Sequence, residues 1–169
     1  MQADTHIAGG ALAGTGMILS IAQGHLPDNL GLLTFTLPLI AVVGSLFPDI
    51  DLGTSKMGRA AGILSKAINF LVGHRTLFHG LILYGTFYYY IATQQANLQP
   101  YVLAFLLGVI SHLFLDMFNS QGVPLLYPVP YRFHLANIKV GSVFEKLIKN
   151  FCIAISLIFV YCTIAEIAL

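Results

Sequence analysis

Tyr101-Val-Leu-Ala-Phe-Leu-Leu-Gly-Val-Ile-Ser-His-Leu-Phe-Leu-Asp-Met-Phe118 is apolar along most of its length, and its only ionisable side chains besides Tyr101 are His112 and Asp116, four residues apart. A bilayer core of about 30 Å is crossed by a helix of about 20 apolar residues, so this run reads as a transmembrane helix. The i, i+4 spacing puts the imidazole and the carboxylate on one helix face, where both can grip a single ion. Ionisable groups in lipid are expensive, and by default they mark a functional site.

The rest of the chain fits a membrane protein. Of its 169 residues 57% are hydrophobic and 9% charged, against about 25% charged in soluble domains, so too few charges remain to coat a soluble surface. Mean hydropathy is +0.81. The length suits one compact transmembrane helical domain, residues 1–169. A net charge of +1 excludes a general polyanion-binding role, and nucleic acid is not an expected partner. The start, Met1-Gln-Ala-Asp-Thr-His6, lacks the positive region and cleavage site of a signal peptide, so the first apolar stretch is expected to be retained. Cys152 and Cys162 fall on one expected helix, about 15 Å apart along its axis, too far for a disulfide.

About five transmembrane helices are expected, over 5–22, 30–47, 78–93, 101–118 and 151–169. The first is rich in Gly and Ala, which suits close packing in lipid. The connections 23–29 and 94–100 contain no Lys or Arg, whereas 48–77 and 119–150 hold all eight: Lys56, Arg59, Lys66, Arg75, Arg132, Lys139, Lys146 and Lys149. By the positive-inside rule the two long connections face the cytoplasm, with the N-terminus inside and the C-terminus outside. Apolar residues at helical spacing in 62–72 predict an interfacial helix between helices two and three. The Pro-rich run 123–131, after helix four, cannot be helical and is expected to form an ordered loop or re-entrant cap.

With this topology His6 opens helix one, Asp49 and Asp51 end helix two, His74 and His79 open helix three, and His112 and Asp116 end helix four, all on the cytoplasmic side. Asp49-Ile-Asp51 follows Pro48 and sends two carboxylates from a non-helical turn toward the same region. His25 and Glu166 read as interfacial residues, Asp4 as a helix cap, Asp28 as a loop charge, and His134 equally as a loop residue or part of the site. The bland alternative for the whole set is a salt-bridge network. Three buried carboxylates with four histidines and one nearby Arg would be costly without cations, so metal is the better account. Carboxylates and imidazoles without thiolates suit zinc first, with Mn, Fe or Mg as further fits. Seven candidate ligands exceed what one tetrahedral ion uses, so one or two divalent ions are expected; such sites hydrolyse phosphoesters or amides. Arg75 suits bidentate binding of a substrate phosphate, and Arg132 or Lys139 could assist from the Pro-rich loop, although anchoring to anionic headgroups explains those two equally well.

Five pieces in order, Thr5-His6 with Gly9, Gly44-x-x-x-Pro48-Asp-Ile-Asp51, His74-Arg75-x-x-x-His79, His112-Leu-x-Leu-Asp116 and Gly122-Val-x-Leu-Leu-x-Pro128, resemble the YdjM family of bacterial inner-membrane, metal-dependent hydrolases. The resemblance covers about 5–145, including Gly141-Ser142 with Glu145 near its end, and it is what adds hydrolysis to the metal site. It departs from the family pattern at Phe78-His79-Gly80, where Thr-His-Ser is usual, and at Asn119, where a Thr is usual. The mixed His/Asp set is also similar to that of zinc-dependent phospholipase C, an analogy across folds. The expectation is a hydrolase of the bacterial inner membrane acting on a phospholipid or other lipid phosphate at the cytoplasmic interface. Asp49, Asp51 and Arg75 would be catalytic, and Asn119, Arg132, Lys139 and Glu145 would contact substrate. A divalent-metal transporter, or a structural or regulatory membrane protein with a structural metal, are the alternatives.

Overall fold

The computed structural model describes residues 1–26, 30–73 and 76–168, and within them the secondary structure is helical with no β-strand. The α-helices are α1 (Ala3–Ala22), α2 (Leu37–Leu46), α3 (Lys56–Ala61), α4 (Ile63–Val72), α5 (Leu81–Gln94), α6 (Gln99–Asp116) and α7 (Val143–Ile167). Two prolines shape the second segment. Pro38 sits in the first turn of α2, where its missing N–H costs nothing, and Pro48 lies in the 3-10 turn Phe47–Asp51 that follows it. With the preceding 3-10 turn Gly31–Thr36, this makes one apolar segment, Gly31–Asp51.

Among the described residues four segments are long and apolar enough to cross a membrane: Ala3–Ala22, Gly31–Asp51, Gln99–Asp116 and Val143–Ile167. The expected third span, 78–93, is taken by the 3-10 turn Leu77–His79 and by α5, whose 14 residues reach only about 21 Å at 1.5 Å per residue. Polar Gln94 and Gln95 end it.

Helix α2 packs between α1 and α6, and α7 lies on α1. Glycines set these distances. A Cβ on Gly10 would collide with Ser45, one on Gly44 with the Phe105 carbonyl, and one on Gly108 with the Ala41 carbonyl. Such backbone-to-backbone approach is how helices associate in lipid, where apolar side chains gain nothing by leaving hydrocarbon. Ser142 starts α7 by accepting from the Glu145 N–H.

Helix α4 leaves Ile63, Leu64, Phe70 and Leu71 exposed while Ser65 is buried, the one-sided pattern of a helix lying in an interface. The Pro-rich run forms turns. Val123 and Phe133 exchange backbone hydrogen bonds of 2.9 Å, and Leu81 N–H, at the start of α5, donates to Leu125 O at 2.8 Å. Beyond it, Leu135 and Ile138 donate to the carbonyls of Met117 and Phe118, which binds the loop to the end of α6.

Candidate metal centre

The helix ends named in the sequence converge. Among the described residues two groups of donor atoms form: His6, His112 and Asp116 in one, and Asp49, His79 and His112 in the other, with the atoms of each group within 4.8 Å of one another. His6 comes from the first turns of α1, His112 and Asp116 from the last turns of α6, Asp49 from the turn after α2, and His79 from the turn before α5. His6 Nε2 is 3.3 Å from Asp116 Oδ1. Asp49 Oδ1 is 3.8 Å from both His79 Nε2 and His112 Nε2, and Asp116 Oδ2 is 3.8 Å from His112 Nε2. The His6 and His112 rings stack at 3.8 Å, and His79 stands edge-on to His112 at 5.4 Å.

Backbone packing fixes the central ring. His112 follows Gly108 by one turn and Ser45 follows Gly44, so the close α2–α6 crossing brings His112 Nδ1 to 2.7 Å from Ser45 O. A carbonyl only accepts, so Nδ1 carries the proton and the Nε2 lone pair faces the donors, as in metal-ligating histidines. His112 therefore offers one nitrogen to both groups. The five side chains make one continuous centre rather than two independent three-ligand sites.

The centre fits a divalent cation. His6 Nδ1 and His112 Nε2 are buried with no hydrogen-bond partner, a state that costs about 1–3 kcal/mol per group unless something else satisfies it. The carboxylate of Asp116 is buried among them, and the Met1 ammonium contacts its Oδ1. Imidazoles and carboxylates without thiolate match zinc, manganese, iron or magnesium. Access is uneven: His6, His79, His112 and Asp116 are at most 1% exposed, whereas the Asp49 side chain is 17% exposed. The centre opens on the Asp49 side.

Other expected residues lie at varying distances from this centre. Asp51 is buried, with its carbonyl accepting from Asn69 Nδ2 at 2.8 Å, and neither donor group includes it. Asn119 is buried just past α6. Arg132, Lys139, His134 and His25 are exposed. His74, Arg75 and Asp28 lie outside the described residues. Asp4 pairs on the surface with Lys56 at 2.8 Å.

Glu145 is buried and holds the first turn of α1: it accepts from Gln2 N–H, from Thr5 Oγ1 at 3.1 Å and from Gly141 N–H. Because Thr5 precedes His6, Glu145 positions a donor. That role and the Ser45 carbonyl were not anticipated from sequence. The Thr5-His6 and Gly141-Ser142 pieces with Glu145 were visible, but nothing in them told that they meet.

Fold and site together define an all-helical membrane protein with a buried His/Asp centre where its helix ends converge. The chain belongs to the YdjM family: the family model described as YdjM inner membrane protein matches residues 1–168. It is 36% identical over 107 residues to the protein YvsG of Bacillus subtilis (strain 168), covering 63% of this chain and 66% of that protein. It is 34% identical over 119 residues to the inner membrane protein YdjM of Escherichia coli (strain K12), covering 68% of this chain and 60% of the relative. The same values relate it to the inner membrane protein YdjM of Shigella flexneri. The chain thus spans less than two thirds of the length of these relatives. No solved structure matches it.

Proposed function

We propose that this chain is a membrane-embedded, metal-dependent hydrolase working at the cytoplasmic face of the bacterial inner membrane on a phospholipid or other lipid phosphate ester. The observation that carries the proposal is the centre itself: among the described residues, five His and Asp donors from four chain segments, four buried and one, Asp49, partly accessible. A purely structural site has no need of an open side, while a catalytic site keeps one for water or substrate.

His6, His79, His112, Asp116 and Asp49 would hold the cation, zinc first. A bound divalent ion supplies Lewis acidity toward a phosphoryl oxygen and lowers the pKa of a water. The rest is done by the chain. Asp49, the donor with access, would take the proton of the attacking water, and Ser45 O holds the His112 ring so that its Nε2 stays aimed inward. Arg75, beside His74 in sequence, would stabilise charge on the phosphate.

A divalent-metal transporter would need polar groups continuing across the bilayer. Instead Met17, Leu37 and Ala104 form a buried apolar cluster among α1, α2 and α6, backed by Ile21, Ile40, Leu103 and Leu107. The buried Thr15 nearby spends its hydroxyl on its own helix, on Ala11 O and Leu12 O. This favours hydrolysis over transport.

The test is phosphate release from a panel of lipid phosphates by the purified full-length chain in lipid nanodiscs. Wild type should release phosphate with added zinc or manganese and stop on chelation, and Asp49→Asn should lose at least 100-fold in kcat/KM. Undiminished turnover in Asp49→Asn or under chelator refutes the proposal, and zinc uptake into sealed liposomes would replace it with transport.

A further inference from the structure

Between α5 and α6 lies a groove of about 430 Å³. Leu83, Tyr84 and Phe87 line it from α5, and Val102 and Phe105 from α6, with Leu98 at its far end. The hydroxyl of Tyr84 is spent on Phe78 O at 2.8 Å, so it does not make the groove polar. Two features give the groove a direction. At one end stand Phe47 and Phe78, packed edge-on at 5.9 Å, with Phe47 also edge-on to Phe105 at 5.3 Å. Phe78 directly precedes His79 and Phe47 lies two residues before Asp49, so along the chain this end adjoins two donors of the metal centre. At the other end are Phe87 and Leu98, 45% and 39% exposed on the outer face of the helices. From Phe105 to Leu98 the groove runs about 10 Å along α6 at 1.5 Å per residue.

We infer that this groove holds one hydrocarbon chain of a membrane phospholipid whose headgroup lies at the Asp49 side of the centre. The inference deepens the proposed hydrolase by giving its substrate an entry from within the bilayer. The occupant follows from continuity and polarity. The groove is walled on one side by α6, a membrane-crossing segment, and its exposed mouth is lined by Phe87 and Leu98, so the hydrocarbon chains of the bilayer can enter it. The lining is apolar apart from the phenols of Tyr84 and Tyr101, and among the described residues the clustered imidazole and carboxylate donors flank the end with Phe47 and Phe78, the pattern an amphiphile with one charged head and a tail would match. The short α5 packs against the bundle less fully than the other long helices, with Tyr84 its one buried residue, and that leaves room for a chain beside α6.

The probe is a phosphatidate carrying a photoreactive diazirine near the end of one acyl chain, in phosphatidylcholine nanodiscs with the full-length protein, with adducts located by peptide mass spectrometry. Adducts should concentrate on Phe87, Leu98 and Val102 over the lipid-facing Leu157 and Ile164 of α7 by at least five-fold. Val102→Trp, which fills the groove, should reduce groove labelling at least five-fold and leave labelling of α7 unchanged; Leu98→Trp should do the same should Val102→Trp not fold. Because nothing here requires turnover, chelation of metal should leave the pattern intact. Groove labelling without phosphate release would keep this inference and remove the hydrolase. Equal labelling of groove and α7, or groove labelling unchanged in the filled variant, overturns the inference.

Discussion

The two nitrogens of His112 have separate tasks. Nδ1 donates to Ser45 O at 2.7 Å, and Nε2 lies 3.8 Å from both Asp49 and Asp116. Removing the ring should therefore empty both donor groups at once. His112→Ala is expected to retain less than a tenth of the metal found in wild type by elemental analysis, with the helices still formed by circular dichroism. Glu145→Gln acts one step away. It weakens the bonds to Gln2 N–H, Thr5 Oγ1 and Gly141 N–H that hold the first turn of α1, so zinc affinity by chelator competition should fall about ten-fold rather than vanish. Much of the centre was legible because His6, His112 and Asp116 stand at the ends of apolar runs whose orientation the Lys and Arg residues indicate. Ser45 was not legible, since a backbone carbonyl leaves no mark in the sequence. Asp51, expected beside Asp49, is buried in the same 3-10 turn, and neither donor group formed among the described residues includes it.

Helix α2 is held against α6 by glycine on both sides, and this crossing carries the bond between Ser45 and His112. Gly108→Ala would drive a methyl group into the Ala41 carbonyl, and the strain of overpacking costs about 1–3 kcal/mol. The variant should unfold at lower temperature than wild type in detergent and bind zinc more weakly, because the displaced α6 moves His112 and Asp116 away from Asp49. An unchanged melting temperature would show that the crossing is looser than its contacts imply. The helices α1 and α6 follow directly from their apolar runs, and α4 from its one-sided pattern, whereas α7 starts at Val143, eight residues before the expected 151, because Ser142 caps it and the polar turn with Glu145, Lys146 and Lys149 is helical too. The short α5 was not legible as short: its run of aromatics reads as apolar through 93, while the chain spends 77–79 on a 3-10 turn that carries His79 inward.

Across the molecule, the centre ties together segments that are far apart in sequence: α1, the turn after α2, the turn before α5, and α6. A ligand that binds only the folded state stabilises it by about 2.7 kcal/mol at 100 times its dissociation constant. Chelation should accordingly lower the melting temperature of wild type and leave His112→Ala unmoved. Orientation is tested in a background lacking Cys152 and Cys162, with an impermeant maleimide on intact cells. Gln95→Cys should label from outside and Lys139→Cys only after permeabilisation, the outcome the placement of the Lys and Arg residues predicts. All of these expectations depend on the cluster of buried imidazoles and carboxylates holding a cation. Elemental analysis of the purified full-length chain, beside His112→Ala grown and purified identically, should find at least one divalent transition metal or magnesium ion per wild-type chain and less than a tenth of that in the variant. A metal-free wild type that gains no thermal stability from added zinc, manganese, iron or magnesium, or a variant with the same metal content, would contradict it.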